Sequence, residues 1–450
     1  MDKKILQIFG LMFISLLLIN TVAAGNIEKK ILDKDKIKAG AFKLKLEFKN
    51  RDDCVEFSQA DFNYTQDVLI EAASGCVELI EPINFNHTIM IADGSDDFYF
   101  TCNGYTISGE TETGLYVVDQ ATVKNCNVAE KENGYYLQDN AKVENSNAHN
   151  NTTGFYLIGD TTGTENLATE NNVGFYLWDN SEITDSNATS NEIGFSSGMY
   201  SSNSKISNSY SGNNNLGYYL MSYAEAHNSI AGYNNVDGFR LIESSKIFNC
   251  TAKNNVGIGI DLHDESYAEN SLAKDNYNGI VQGYESVTSS CTAKNNTNDG
   301  FLVKDYTLTL NPIASNNEYG IYMQGDSEVS GGVATNNNKY GYYLKDTALV
   351  YDAKAKYNGI YTSSYGFYLD GNSTAQNVLS NSNKNGIYVT RFSKLLNGYE
   401  VCFNGARNIF AYFGTITGTY KSTAIGGAGY WPNAIIIPCG PLPANPVQID

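Results

Sequence analysis

Histidine, tryptophan, methionine and proline are all scarce in this chain, at four, two, six and seven among 450 residues. His87, His149, His227 and His263 are scattered, and with so few methionines they form no ligand cluster, which argues against copper handling. Cations are short as well: 30 Lys and Arg stand against 49 Asp and Glu, a formal net charge of -19. Such a surface excludes nucleic acid and anionic membrane as natural partners. Beyond residue 24 no apolar run is long enough to span a bilayer. Sustained helical periodicity is also missing from residue 75 to 395, so amphipathic helices are not expected there.

What is present begins with an export signal. Lys3 and Lys4 precede the mostly apolar run Ile5 to Ile19, and Val22-Ala23-Ala24 offers a small-residue cleavage site. That order reads as a secretory signal peptide over residues 1–24. The expected location of the remaining chain is therefore extracellular, either released or held on the cell surface by non-covalent contacts. Eight Asn-x-Ser/Thr sequons, at Asn63, Asn86, Asn150, Asn151, Asn187, Asn249, Asn295 and Asn372, are candidate glycosylation sites in an exported protein.

A phrase of the form Gly-aromatic-Tyr-Leu recurs fourteen times between Gly114 and Gly386, mostly 20 or 21 residues apart. Counting from each Gly, position +17 is Asn in all twelve coils from Gly134 to Gly366, and position +14 is Ala in ten of them. Short β-prone runs alternate with Asn, Gly, Ser and Asp turns. A unit of twenty residues cannot bury its own apolar face and must stack on its neighbours. The expected fold is all-β, a right-handed parallel β-helix of about 12–14 coils. Its expected limits are an N-terminal cap over 25–74, the β-helix over 75–395 and a C-terminal cap over 396–450.

In-register stacking sets like residues about 4.8 Å apart. Asn suits such a column because its amide both donates and accepts. Asn151, Asn171, Asn191, Asn234, Asn255, Asn276, Asn296, Asn317 and Asn337 are thus read as an internal ladder at a turn, where Asn also tolerates left-handed backbone. Within the strand phrase, alternation points Phe155 and Leu157 inward and Tyr156 outward. The outward column then holds Tyr116, Tyr136, Tyr156, Tyr176, Tyr219, Tyr322 and Tyr343 as candidate ligand-binding residues, since exposed aromatic rings stack on sugar faces. The competing explanation is that Tyr favours strands and packs on itself.

Acidic residues recur just after the strand, and Asp139, Asp160 and Asp179 are the candidate metal ligands, with calcium the one candidate cofactor. Asp is also a good turn former in the same place. Of eight cysteines, Cys126, Cys250 and Cys291 share position +12 and are read as small packed residues, whereas Cys54 with Cys76 and Cys402 with Cys439 are candidate bridges at the two ends. Pairing cannot be deduced from spacing alone.

Residues Phe100 to Gly109, together with Val123-Lys124-Asn125-Cys126-Asn127-Val128, resemble the start of NosD-like right-handed β-helix proteins. Asn249 to Gly257 is similar in part to the carbohydrate-binding and sugar-hydrolase (CASH-type) repeat. The resemblance implies the fold over roughly residues 75–395 and leaves function open, because this fold hosts lyases, hydrolases, adhesins and scaffolds. The expected function is a structural or adhesive role at the cell surface, with a polysaccharide or another envelope component as partner. The alternative is a polysaccharide hydrolase or lyase. Against it, no Gly-His-Gly is present and no catalytic residue is assigned.

Overall fold

A computed structural model describes residues 41–46, 54–62, 65–72, 75–92, 98–199, 203–397 and short runs between 400 and 437. The proposed signal peptide and Cys439 lie outside the described residues.

The chain winds as a right-handed parallel β-helix with three sheets. The first and second sheets each hold 19 strands and the third holds 15. One turn shows the plan: Thr153–Ile158 lies in the first sheet, Thr162–Thr164 in the second and Leu167–Thr169 in the third. The next turn repeats it at Val173–Trp178, Glu182–Thr184 and Asn187–Thr189. Every strand pair is parallel and in register, so Phe155 lies on Phe175 and Tyr156 on Tyr176. Parallel pairing also reaches past both expected limits of 75 and 395. Phe42–Leu46 pairs with Val68–Ala72, and Lys394–Leu396 pairs with Thr415–Lys421. Among the described residues the last strand of the third sheet is Leu379–Asn381, beyond which single parallel bridges join Leu379 to Glu400 and Val401 to Ser422.

The interior is built from repeated columns. Tyr135, Phe155, Phe175, Phe195, Tyr218 and Phe239 form a continuous ring stack with centroids 4.5–4.9 Å apart and planes within 6–11° of parallel. Opposite it runs the fully buried Ala column, Ala148 through Ala355. The Gly of the strand phrase is required by close approach rather than by a turn. A Cβ on Gly154 would stand 2.6 Å from the Gly174 carbonyl oxygen of the next coil.

Each ladder Asn uses its whole amide. The Asn171 Oδ1 accepts from the Asn151 backbone N–H at 2.9 Å and from the Asn151 Nδ2 at 3.1 Å. The Asn171 Nδ2 in turn donates to the Ala148 carbonyl at 3.1 Å and to the Asn191 Oδ1 at 3.0 Å. The pattern continues through Asn191, Asn234, Asn255, Asn276, Asn296, Asn317 and Asn337 to Asn383. The left-handed backbone falls one residue earlier than expected. Asn150, Asn254 and Asn316 have φ of 54–56°, whereas the ladder residues do not. The corner strain and the amide column are thus carried by different residues. Of the sequon residues, Asn151 is in the ladder and buried, while Asn187 and Asn372 are exposed.

Cysteine placement departs from expectation at one point. Cys54 is bridged to Cys76 on the adjacent strand. Cys126, expected to be a packed thiol, is bridged to Cys102. Sequence spacing concealed that pair because Cys102 precedes the first full repeat. Cys250 and Cys291 are free and buried, and burial pushes the Cys250 thiol up to about 12 and the Cys291 thiol to about 11. Cys402 is disulfide-bonded.

Candidate ligand-binding face

The outer face of the first sheet collects the distinctive side chains. Its strands are Tyr- and Phe-rich and alternate strictly, so one residue in two is sent outward at the 4.8 Å rise of the coils. The face divides into three stretches along the axis.

At the N-terminal end the outward tyrosines are covered. Tyr116 and Tyr136 are 0% and 2% exposed, packed in a second apolar cluster with Leu69, Met90, Ala92 and Val118. The Tyr116 hydroxyl donates to the Gln138 Oε1 at 2.9 Å. These two residues are therefore part of the packing and are withdrawn as ligand contacts. Tyr156 and Tyr176 follow, half-buried and stacked 4.8 Å apart. Burial pushes the Tyr176 phenol up to about 12, and that of Tyr156 further, so both stay neutral donors.

In the middle the tyrosine column gives way to charge. Tyr219, Arg240 and Asp261 occupy consecutive rungs. The Arg240 Nη2 donates to the Asp237 Oδ2 at 2.5 Å, and its Nε lies 3.7 Å from the Asp261 Oδ2. The other Asp237 oxygen accepts the Ile258 backbone N–H at 2.9 Å. His263, two residues beyond Asp261 and on the same face, places its Nε2 3.0 Å from the Asp261 Oδ1. Asp237 and Asp261 are nearly buried, and the His263 side chain is 32% exposed. Burial pushes the Asp237 carboxyl up while Arg240 pulls it back. The Asp261 hydrogen bond raises the His263 imidazole above its ordinary value, against the effect of burial. A Cβ on Gly283 would come 3.2 Å from the His263 Nδ1, so glycine there leaves that edge of the ring uncrowded. Chemically this is a carboxylate-held imidazole beside a carboxylate-held guanidinium, able to hold and release a proton at the surface. Sequence reasoning assigned no role to these residues. The available signal was the loss of Tyr from the outward column at Arg240 and Asp261, with His263 in phase two positions later.

At the C-terminal end the aromatic surface becomes two rings wide. Tyr322, Tyr343, Tyr368, Tyr388 and Phe410 continue the outward column. Beside them stand Tyr319, Tyr340 and Tyr365 from the position before the coil Gly, or its equivalent. Tyr340 lies 5.4 Å from Tyr343 and 5.3 Å from Tyr368, and Tyr365 lies 5.2 Å from Tyr388. Along the column, Tyr322–Tyr343 and Tyr343–Tyr368 meet edge to face at 73° and 68°. All eight rings are half-buried, so each presents an edge or a face outward. The second column was missed because it precedes the Gly used to align the repeat. Lys339 sits 4.8 Å over the Tyr319 ring and pairs with Glu318. Nearby, burial pushes the Asp299 carboxyl up to about 7.

The acidic column does not gather. Asp139 and Asp179 have φ of 56° and 47°, and Asp160 follows Gly159, whose φ is 74°. They are turn formers strung along a rim. Among the described residues no three His, Cys, Asp or Glu side chains converge as a metal-ligand set, so the calcium expectation finds no geometric support. No described helix is long and apolar enough to cross a membrane.

No protein-family model matches the chain, and no curated protein matches its sequence. Among solved structures it is similar to the Azotobacter vinelandii mannuronan C-5 epimerase AlgE6 A-module, with 13% identity, 90% of this chain and 93% of that chain covered, and a TM-score of 0.22. It is similar also to the periplasmic alginate epimerase AlgG, with 10% identity, 82% and 77% covered, and a TM-score of 0.31. A third is pectate lyase Pel9A, with 16% identity, 65% and 72% covered, and a TM-score of 0.24. At such identities and scores these likenesses carry nothing about activity. The fold rests on the three sheets described above.

Proposed function

We propose that this is an exported, surface-associated β-helix that holds a polysaccharide along the outer face of its first sheet, in a structural or adhesive role. The observation that supports it is the two-ring-wide tyrosine platform at Tyr319, Tyr322, Tyr340, Tyr343, Tyr365 and Tyr368. Rings at coil spacing offer apolar faces to sugar rings, and their neutral hydroxyls offer hydrogen bonds to sugar hydroxyls. Coiled stacking extends this surface along one axis, which suits a long polymer better than a small ligand. The NosD-like segments 100–109 and 123–128 lie in the second and third sheets, away from this face, and support the fold rather than the ligand. The test is affinity electrophoresis against a panel of soluble polysaccharides. The wild type is expected to be retarded by at least one, and the triple variant Tyr322→Ala, Tyr343→Ala, Tyr368→Ala to migrate freely with an unchanged circular dichroism spectrum. Equal retardation of both proteins removes the platform from consideration.

A second reading, a polysaccharide hydrolase or lyase, is favoured by one feature: the Asp237–Arg240–Asp261–His263 cluster on the same face, three rungs before Tyr322. Release of reducing or unsaturated ends from the same panel, abolished in His263→Ala, would establish it. Absence of products with every polymer that binds would dismiss it.

A further inference from the structure

Three cations along this face, Arg240 in its middle stretch and Lys339 and Arg391 at the platform, are each paired with a carboxylate of the protein itself. Arg240 is held between Asp237 and Asp261, with only 13% of its side chain exposed. Lys339 is paired with Glu318 and also donates to the Tyr319 hydroxyl oxygen at 3.2 Å. Arg391 reaches Asp370, a carboxylate only 11% exposed, at 3.4 Å through Nε and 3.5 Å through Nη1. We propose, building on the polysaccharide-binding reading above, that the platform takes a polymer of neutral sugars and rejects one bearing carboxylates or sulfates.

The argument is one of competition. An acidic polymer could use Arg240, Lys339 or Arg391 only by taking the cation from its present partner. At Arg240 that leaves Asp237 and Asp261 buried without a counter-charge, and at Arg391 it does the same to Asp370. Nothing offsets this at long range, because the chain as a whole carries a formal charge of -19. A neutral sugar needs none of these exchanges. It meets ring faces and phenol hydroxyls, and burial and crowding hold the Tyr343 and Tyr368 phenols in the neutral form. The paired cations then serve to cancel charge on the face and to hold the rings, as Lys339 does over Tyr319.

Affinity electrophoresis with two sets of soluble polymers separates the possibilities. One set is neutral (a β-glucan, a xylan without acid substituents, a mannan) and the other acidic (alginate, polygalacturonate, a sulfated glycan), each at low and high salt, with chelator throughout and again with calcium. The wild type is expected to be retarded by a neutral polymer, equally at both salt levels, and by no acidic polymer. The double variant Glu318→Gln, Asp370→Asn releases Lys339 and Arg391, and is expected to gain retardation by an acidic polymer at low salt that disappears at high salt. Retardation of the wild type by an acidic polymer, with or without calcium, overturns the inference while leaving the binding reading intact. Failure of the double variant to gain acidic binding overturns the account of the paired cations. A wild type retarded by no polymer in either set sinks the binding reading itself, and this inference with it.

Discussion

Inside the solenoid and on its outer face the same spacing stacks the same kind of ring, with opposite results. The interior column from Tyr135 to Phe239 lies flat, each plane within 6–11° of the next. On the outer face Tyr322, Tyr343 and Tyr368 turn edge to face. Both columns have a rise near 4.8 Å, so spacing does not decide the difference. Confinement does: between the Ala column and the neighbouring strands a ring has one slab of space, whereas the surface admits both arrangements, edge to face along Tyr322–Tyr343–Tyr368 and stacked at 6° at Tyr388–Phe410. The interior column is therefore specialised for packing, and the outer one retains contact area for something else.

The comparison breaks most visibly by removing an interior ring. Phe175→Ala is expected to cost about 4 kcal/mol, because a large cavity opens in a column that cannot collapse without pulling coils together. Urea denaturation measures it, and a cost near that of a surface change would refute the packing account. Next comes the ladder. Asn255→Ala strips acceptors from the Asn234 backbone N–H and side-chain amide at 3.0 and 2.9 Å, leaving buried donors unpaired. A loss of about 3 kcal/mol is expected, concentrated in the coils on either side because repeats share stability with their nearest neighbours. Hydrogen exchange resolves that locality, and uniform exchange along the whole chain would contradict it.

A third test sharpens the contrast within the outer column. Tyr136→Ala removes a 2%-exposed ring and is expected to destabilise by roughly 3 kcal/mol. Tyr343→Ala removes a half-buried one, with a stability cost of about 1 kcal/mol and a much larger loss of polysaccharide retention. Reversal of those two profiles would mean that the wrong end of the column has been assigned to ligand.

The smallest effects are in pH. Asp299 is raised by burial from 3.8 to about 7, so its neutral form suits the folded state. That contribution is complete below pH 3.8 and is lost as pH climbs through 7. Asp299→Asn should therefore gain steadily on the wild type across that window, read from denaturation midpoints. His263 has the same sign: held by Asp261, it stabilises most below its ordinary value of 6.5 and loses that contribution as pH rises through its higher folded value. In His263→Gln the pH dependence of stability above 6.5 should flatten, and an unchanged slope would discount the Asp261 contact.

The repeat made much of this legible beforehand. Register followed from Gly spacing, because a strand in such a fold pairs with the same positions one coil away. The inward and outward assignment of Phe155, Tyr156 and Leu157 followed from alternation. The left-handed corner at Asn150, by contrast, was placed one residue late, at the ladder position. A run such as Asn150-Asn151 offers two residues of equal propensity, and only backbone geometry separates their tasks. The aromatic second column at Tyr319, Tyr340 and Tyr365 escaped because it recurs in only part of the chain.

By itself, then, the sequence determined the translational order: which residues lie above which, and which face each strand residue takes, since both follow from a period of about twenty. Only the tertiary structure decided accessibility and assembly across columns. It buried Tyr116 and Tyr136 against Leu69 and Met90, bridged Cys102 to Cys126, and drew Asp237, Arg240, Asp261 and His263 from two adjacent coils into one network. The Asp237–Arg240 and Asp261–His263 contacts join unlike positions, on which a periodic pattern is silent, and the rungs at Leu69 and Met90, though in register with Tyr116, lie before the first Gly of the repeat.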